Sequence, residues 1–325
     1  KAAVFGHTNS VYELALCFRK GKGTEKNREE ALSYLQLAAE NGHPDASSLI
    51  GKFYETGKKF PMDIERAAEY YRNAVRHGNY DAMLGYFRCI GQGVEVSQEE
   101  KDQLILDISE RALSIYKGNE WSVESGINWT FDSTRSVLVL RGGQMNNYDE
   151  EHQSPWSKRF KYQTRSVIAC DGISSISDMS FYEFSGLTAI VLPDSLKNVG
   201  RRAFYNCIAL VSVLLQEGVE KIGDGAFSGC RSLGKISIPS TVKSIGNVAF
   251  HGCISLKSVE LMEGLLSIGI EAFSGCEALD VITIPASVNE IIWNPFSNCK
   301  SLASIGVADG SHAFTSMDGV LFNSI

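Results

Sequence analysis

The chain has 325 residues, of which 44% are hydrophobic and 21% are charged, and its formal net charge is −7. This composition is that of a folded protein with room for more than one domain, and it argues against extensive disorder. There are 16 basic and 17 acidic residues up to Gly118, and 15 basic and 21 acidic residues after it. The second half therefore lacks the basic face that a nucleic-acid-binding solenoid needs. No run of about 18 apolar residues exists, so we expect no membrane insertion.

A 36-residue period runs through the first 118 residues. Its glycines recur as Gly21, Gly57 and Gly93, and its aromatic positions as Tyr34 and Tyr70. Between these positions the apolar residues follow helical i, i+3, i+4, i+7 spacing, and the glycines end helices. Each unit is therefore predicted to be an antiparallel helix pair. The last helix is predicted over about 98–117, ending at Gly118.

Two segments of this region carry a recognisable pattern. Residues 46–57 read Ala-x-x-Leu-Ile-Gly-x-x-Tyr-x-x-Gly, and residues 67–78 read Ala-Ala-x-Tyr-Tyr-x-x-Ala-x-x-x-Gly. The pattern resembles the Sel-one-like repeat, a relative of the tetratricopeptide solenoids. The resemblance implies an α-solenoid that serves as a protein–protein adaptor. We interpret Tyr70 and Tyr71 as core residues, with peptide contact as the alternative, and the turn residue His43 as solvated.

Between residues 119 and 166 the helical period stops, and apolar and polar residues alternate instead. Trp129 and Phe131, a turn at 132–134 and the apolar run 137–140 predict a β-hairpin. A solenoid leaves an apolar face open at each end, so we expect this hairpin, with Trp129 and Trp156, to cap the repeats that follow. The loop Asp149-Glu150-Glu151 could offer oxygens to Ca²⁺, but it lacks the spacing of a calcium-binding loop. We interpret these acidic residues as solvated.

A period of 23 residues governs residues 167–325. Phenylalanine recurs at Phe181, Phe204, Phe227, Phe250, Phe273 and Phe296, and cysteine at Cys207, Cys230, Cys253, Cys276 and Cys299. Such a period is the signature of a solenoid whose coils bury their apolar faces against their neighbours. Both columns are predicted to be buried, and the eight cysteines to be free thiols, with a disulfide or metal site as the alternative.

Some coils depart from the common pattern. Gln216 and Met262 stand in the slot that holds Pro193, Pro239 and Pro285 in other coils, and Trp293-Asn294-Pro295 replaces a Gly-x-x-Ala lead. We expect these departures to distort single coils without changing the fold class.

The segment from Leu233 to Cys253 reads Leu-x-x-Ile-x-Ile-Pro-x-x-Val-x-x-Ile-Gly-x-x-Ala-Phe-x-x-Cys. This pattern resembles the BspA-type leucine-rich repeat, and the resemblance extends over about 120–325. It implies surface and secreted proteins of bacteria or protists, many of them adhesins, with no catalysis of their own.

Residues that point outward from the predicted strands form the candidate binding surface. One column is Ala189, Ser212, Lys235, Ser258, Val281 and Ser304, and its neighbour is Val191, Leu214, Ser237, Glu260, Thr283 and Gly306. A third is Thr188, Val211, Gly234, Lys257, Asp280 and Ala303. These columns hold neither an aromatic row nor a basic stripe. The alternative to a binding role is that most of these residues are merely solvated. Opposite charges cluster at Lys235, Lys257, Glu260 and Asp280, which are the predicted ligand-binding residues.

Signatures of catalysis are missing from the sequence. It contains no Gly-x-x-x-x-Gly-Lys-Ser/Thr loop, no Gly-x-Ser-x-Gly turn and no His-Glu-x-x-His pair. We therefore predict no enzyme, no catalytic residue, no metal and no cofactor.

The predicted fold class is α+β and multidomain, with an N-terminal α-solenoid followed by a capped leucine-rich-repeat β-solenoid of 23-residue coils. The domains are Sel-one-like repeats at 1–118, a β-hairpin cap at 119–166 and BspA-type repeats at 167–325. The expected function is non-catalytic recognition or adhesion at a cell surface or outside the cell, by a monomer that binds a host or partner protein. The alternatives are an intracellular scaffold that joins two partners, and the binding arm of a larger enzyme. We expect the chain to be a segment of a longer protein, since it has no initiator Met.

Overall fold

A computed structural model describes residues 8–117, 121–124 and 127–323. The predicted fold class is confirmed, since helical repeats lead into a β-solenoid with 23-residue coils. The chain divides into two compact units between Leu104 and Ile105. The three-domain division drawn from the sequence stays a prediction. Gly118, the predicted end of the last helix, lies outside the described residues.

Helix pairs make up the first part of the chain. The helices are α1 (Thr8–Lys20), α2 (Arg28–Glu40), α3 (Pro44–Thr56), α4 (Ile64–Arg76), α5 (Met83–Gly91) and α6 (Gln98–Ile115), with a 3-10 turn at Tyr80–Ala82. Polar side chains cap the starts of several helices. At α2 the Asn27 oxygen accepts from the backbone N–H of Glu29 and Glu30, both at 3.1 Å. The repeated alanines, such as Ala46 and Ala67, are fully buried where helices pack. Their small size lets the helices approach closely, as the 36-residue period predicts.

The expectation that His43 is solvated is wrong. Its side chain is only 6% exposed, and its ring stacks on Tyr12 with the centroids 4.2 Å apart. Its Nδ1 accepts from the backbone N–H of Ala46 at 3.3 Å, so His43 caps the start of α3. Burial lowers the pKa of His43, which keeps the ring neutral and able to accept that bond.

A short antiparallel sheet precedes the solenoid coils. It consists of β1 (Ser122–Glu124), β2 (Ile127–Asp132) and β3 (Val137–Arg141), and α7 (Ser157–Phe160) follows. Strand β3 pairs in parallel with the next strand, so the hairpin becomes the first rung of the solenoid sheet. Trp156 is fully buried and stacks on Phe181 with the ring centroids 5.9 Å apart. Its indole thereby covers the ring at the start of the phenylalanine column.

Two parallel ladders run along the solenoid. The first has two parts, since no strand pairing joins β8 to β10 among the described residues. One part contains β4 (Ser166–Ala169), β6 (Ala189–Val191) and β8 (Ser212–Val213), and the other contains β10 (Lys235–Ile238), β12 (Ser258–Leu261), β14 (Val281–Ile284) and β16 (Ser304–Val307). The second contains β5 (Ser175–Ile176), β7 (Asn198–Val199), β9 (Lys221–Ile222), β11 (Ser244–Ile245), β13 (Ser267–Ile268) and β15 (Glu290–Ile291). A hairpin of β17 (Phe314–Met317) and β18 (Val320–Asn323) follows. Paired residues differ by 23 in number, as Lys235 and Ser258 do, because each coil adds one rung.

The core between the ladders is a column of rings. Successive phenylalanines from Phe181 to Phe296 stack with centroids 5.2–5.8 Å apart and planes within 14° of parallel. Beside them each cysteine thiol donates to a phenylalanine carbonyl 26 residues earlier, as Cys253 does to Phe227 at 3.2 Å. The turn around each phenylalanine is not helical, because alternate N–H groups donate to the next coil, as Phe227 does to Ala249 at 2.8 Å.

The coils alternate between two types at the corner that follows the proline slot. Strand pairing is weaker at the coils of Gln216 and Met262, as expected, since β8 does not pair with β10 and β12 pairs with β14 only at Ser258. Coils that lack the proline have Gly172, Gly218 or Gly264 two residues after its slot, and each of these glycines has a positive φ. In the coil that follows, the same position holds Ser195, Thr241 or Ser287. Each hydroxyl accepts from the glycine N–H at 2.9–3.2 Å and donates to the next residue's carbonyl at 2.8–3.0 Å. The repeating unit at this corner is therefore two coils, or 46 residues.

The coil at Trp293 keeps its pairing. The carbonyls of Trp293 and Pro295 accept from the N–H groups of Glu271 and Phe273 at 3.1 and 2.8 Å. Trp293 itself is 78% exposed, so its bulk lies outside the coil and leaves the backbone ladder undisturbed.

Candidate binding surfaces

Much of the outward sheet surface predicted to be open is buried. Ala189, Val191 and Ser212 have no exposed surface, although they point away from the phenylalanine column. They lie on the side of the sheet where the second half of α6 packs. There the Ser109 carbonyl lies 4.0 Å from Sγ of Cys170, the residue directly after β4. These three positions cannot contact a ligand.

The outward sheet face is open from β10 to β14, and we call this part the open face. Its exposed residues include Ser258, Glu260, Val281 and Thr283, and the side chain of Val281 is 50% exposed. The inward residues of these strands, such as Ile236 and Ile282, are buried in the core. The alternation gives the open face a flat layer of small and charged side chains on a rigid ladder.

All four predicted ligand-binding residues lie on or beside the open face. Lys235 Nζ is 4.0 Å from Glu260 Oε2, and these side chains are 36% and 52% exposed. Lys257 and Asp280 are exposed and follow each other in one column, a single coil apart. In the described part of the chain no ion pair joins Lys257 to Asp280. Their charges are thus available to a partner, and the ligand-binding role of all four residues stays a prediction.

Six of the eight thiols are buried. Desolvation raises the pKa of Cys89, Cys170 and Cys253 to about 12, and burial also raises the pKa of Cys207, Cys230 and Cys276. Cys17 and Cys299 are half-buried, and all eight are free cysteines. Among the described residues no group of three His, Cys, Asp or Glu side chains is placed to hold a metal. The buried cysteines are therefore unsuited to react as thiolates.

The acidic loop is organised by its own backbone. One Asp149 oxygen accepts from the N–H groups of Glu151 and His152 at 2.9 and 2.6 Å. The hydrogen bond from the His152 backbone is the largest cause of the lowered pKa of Asp149. This arrangement is a local turn, as expected for a solvated loop.

Sequence reasoning missed a groove on the turn side of the solenoid, which we call the turn groove. Its volume is about 440 Å³. Its lining includes Arg201, Tyr205, Asp224, Ser228, Asn247 and His251. The sequence position directly after each phenylalanine could have pointed to this groove, because it holds Tyr182, Tyr205, Ser228 and His251 in successive coils. Comparing that position between coils reveals Ser228 between Tyr205 and His251, with serine again at 274 and 297.

Comparison with protein families agrees with both repeat patterns. A model of the BspA type leucine rich repeat region matches residues 174–303 in six copies, and a Sel1 repeat model matches residues 8–43 and 44–79. These segments are BspA-type leucine-rich repeats and Sel1 repeats. Repeats of both kinds mediate protein interactions and are typically non-catalytic binding modules.

A solved structure resembles this chain in its fold. The leucine rich cell surface protein of Faecalibacterium prausnitzii A2-165 is 25% identical, with a TM-score of 0.50, and the match covers 63% of this chain and 59% of that protein. The Sel1 and leucine-rich repeats of this chain contain no described helix with the length and apolar character needed to span a membrane.

Two curated relatives match part of the sequence. Chitin synthase regulatory factor 1 of Schizosaccharomyces pombe is 27% identical over 142 residues, which are 42% of this chain and 31% of that protein. The ERAD-associated E3 ubiquitin-protein ligase component HRD3A of Arabidopsis thaliana is 40% identical over 86 residues, which are 25% of this chain and 13% of that protein. This chain thus spans less than a third of the length of either relative.

Proposed function

We propose that this chain is a non-catalytic recognition module whose leucine-rich repeats bind a partner protein through the open face. The observation that carries the proposal is a contrast between two successive sheets of the solenoid. Outward residues of β6 and β8 are buried, whereas those of β12 and β14 are exposed and include the charged Glu260. A rigid, charged, solvent-accessible layer favours a protein partner of complementary charge.

The residues that contact the partner are proposed to be Lys235, Lys257, Glu260 and Asp280. Each lysine has a carboxylate in the next coil, Glu260 for Lys235 and Asp280 for Lys257, so a partner with the opposite pattern would pair in one register only. The Lys235–Glu260 separation of 4.0 Å is longer than a hydrogen bond, and both groups remain accessible to a partner. Specificity would come from this charge pattern, because small neighbours such as Ser258 offer little apolar area.

The place of action is proposed to be the cell surface or the extracellular space, with the chain acting as a monomer. Support comes from the similarity to the cell surface protein of F. prausnitzii. A second candidate is an intracellular adaptor that joins two partners. It is favoured by the match to a plant protein named as a ubiquitin-ligase component. A third candidate is that the chain is the binding arm of a larger enzyme, and that role would use the same surfaces.

The test is proximity labelling with the full-length protein and two charge-swapped versions of it. One version carries Lys257→Glu with Asp280→Lys on the open face. The matched control carries Lys221→Glu with Glu290→Lys on the second ladder, where both residues are also exposed. Both versions have the same net charge as the wild type.

We expect at least one protein to be labelled equally by the wild type and the control, and at least fivefold less by the open-face swap. Equal labelling by all three versions would place recognition elsewhere. If no macromolecule is enriched, the recognition-module proposal is wrong. The compartment of the labelled proteins separates the surface role from the intracellular adaptor.

A further inference from the structure

The turn groove lies at Ser228, in the slot that holds Tyr182, Tyr205, Ser228, His251, Ser274 and Ser297 in successive coils. Tyr182 and Tyr205 stack with their centroids 5.1 Å apart and their planes 6° from parallel. The next coil places Ser228 in this slot, and the coil after that places His251 there. Tyr205 therefore has a stacked ring on one side only.

The missing ring leaves a space of defined size. In the neighbouring column, rings one coil apart lie 5.2 Å (Phe204–Phe227) and 5.4 Å (Phe227–Phe250) from each other. Tyr205 and His251 are two coils apart, which is about 10 Å at the spacing of parallel strands. Gly225 and Gly229 flank Ser228, and the Arg202 and Val248 side chains approach Gly225 from the coils on either side. The Arg202 guanidinium lies 5.7 Å from the Tyr205 ring centroid. One ring of a ligand can occupy the place that a tyrosine would take.

The rim of the groove offers both donors and acceptors. Asn247 Oδ1 accepts from the Ile270 N–H at 2.8 Å, which leaves its amide N–H groups for a ligand. Asp224 Oδ1 accepts from the Asn247 N–H at 2.8 Å, which leaves Oδ2. Arg201 Nε lies 3.8 Å from Asp178 Oδ2, beyond hydrogen-bonding distance, so the guanidinium can still donate.

The charges around the groove are balanced. Arg201 lies near Asp178, and Arg202 Nη1 lies 4.0 Å from Glu150 Oε1. Asp224 adds a carboxylate to the lining. This balance does not favour an anion, and it suits a neutral ligand that both donates and accepts hydrogen bonds.

We propose that the turn groove binds a pyranose ring of a neutral saccharide between Tyr205 and His251, in the ring position that Ser228 leaves empty. A pyranose has two C–H-rich faces for stacking and a rim of hydroxyls that donate and accept. An aromatic peptide side chain would fill the gap but leave Arg201, Asp224 and Asn247 without partners, which costs binding free energy. The volume of about 440 Å³ is in the range of small-ligand sites. This site is separate from the open face and does not depend on the proposed function.

The main test variant is Ser228→Tyr, which supplies the missing ring. The slot already holds Tyr182 and Tyr205 in preceding coils, so the coil geometry accepts a tyrosine there. Ser297→Tyr makes the same change in the same slot three coils later, away from the groove, and serves as the matched control. Tyr205→Ala removes the stacking wall without filling the gap. Thermal unfolding confirms that each variant is folded.

Binding is measured by saturation-transfer NMR with the methyl pyranosides of glucose, galactose, mannose and N-acetylglucosamine. We expect at least one of them to bind the wild type and Ser297→Tyr equally, to bind Tyr205→Ala at least tenfold more weakly, and to show no transfer with Ser228→Tyr.

Two results would overturn the proposal. The first is that Ser228→Tyr binds the pyranosides as well as the wild type does. The second is that none of the four pyranosides binds the wild type, and N-acetyltyrosinamide is then tested in their place and compared between the wild type and Ser228→Tyr. If it binds the wild type and not Ser228→Tyr, the groove accepts an aromatic side chain of a peptide. If Ser228→Tyr fails to fold, Tyr205→Ala is compared with the wild type instead. Equal binding of the pyranosides by these two proteins would overturn the proposal.

Discussion

At the scale of single residues, three hydroxyls join neighbouring coils at one corner of the solenoid. Thr241 is the central example: its hydroxyl accepts from the Gly218 N–H at 3.0 Å and donates to the Val219 carbonyl at 2.8 Å. Gly218 has φ +123°, which only glycine adopts readily, and this conformation points its N–H at the next coil. The alternation of glycine with serine or threonine is therefore a requirement of hydrogen bonding.

Thr241→Val removes this hydroxyl while keeping the side-chain shape. We expect the free energy of unfolding to fall by about 1–3 kcal/mol, because a partly buried N–H and carbonyl lose their partner. Thr241→Ser keeps the hydroxyl and is expected to lose less than about 1 kcal/mol. Urea unfolding followed by circular dichroism measures both. Equal losses in the two variants would show that the hydroxyl bridge does not stabilise the corner.

The thiols differ in accessibility according to their place in the fold. At pH 8 we expect Ellman's reagent to modify Cys17 and Cys299, which are half-buried, and to spare the other six until the protein unfolds. The double variant Cys17→Ser, Cys299→Ser should contain no rapidly reacting thiol. Rapid reaction in that variant would mean that the cysteine column is open to solvent.

At the scale of elements, three helices are joined by one buried carboxylate. Glu55 on α3 accepts from the Tyr71 hydroxyl of α4 at 2.6 Å and from Arg88 Nε of α5 at 2.6 Å. The Glu55 and Arg88 side chains are only 10% and 19% exposed. The 36-residue period predicts the helices but not this network, because the three residues occupy different slots of the repeat.

Replacing Glu55 with Gln leaves the buried Arg88 charge without its partner. We expect a loss of about 3 kcal/mol in the free energy of unfolding. The control is Glu100→Gln, which breaks the more exposed pair with Arg72, where the separation is 3.1 Å, and should cost less than about 1 kcal/mol. Chemical denaturation compares the two. Similar losses would mean that burial does not strengthen the Glu55–Arg88 pair.

At the scale of the whole molecule, the buried thiols make stability depend on alkaline pH. Burial raises the pKa of Cys253 from 9.0 to about 12, so the folded state keeps a proton that the unfolded state releases. This contribution is complete below pH 9, declines as the pH rises above 9, and is lost by about pH 12. The other five buried cysteines act in the same direction, since burial raises each of their pKa values.

A single substitution isolates one thiol from other groups that titrate in this range. We expect the stability difference between the wild type and Cys253→Val to shift by about 1 kcal/mol in favour of the variant between pH 9 and pH 10. Urea unfolding at the two pH values measures this shift. A difference that is the same at both would contradict the protonated state of Cys253.

The phenylalanine and cysteine columns, the strand register and the helix pairs followed from the sequence, because a repeat buries the same slot in every coil. The open and covered parts of the sheet did not follow, since Ala189 and Val281 occupy the same slot. One is buried and the other is 50% exposed, and the Ser109 carbonyl of α6 lies beside Cys170, directly after β4. The turn groove also needed the tertiary structure, because it joins residues from three coils.

The sequence by itself determined the two solenoids, since a fixed period in buried residues specifies which positions face the core. It did not determine where a ligand can bind. Accessibility depends on which element covers a given coil, and a groove depends on the side chains of coils that lie side by side. Both are long-range properties, and only the tertiary structure placed Lys257 and Asp280 on an open surface and Ser228 in a gap between Tyr205 and His251.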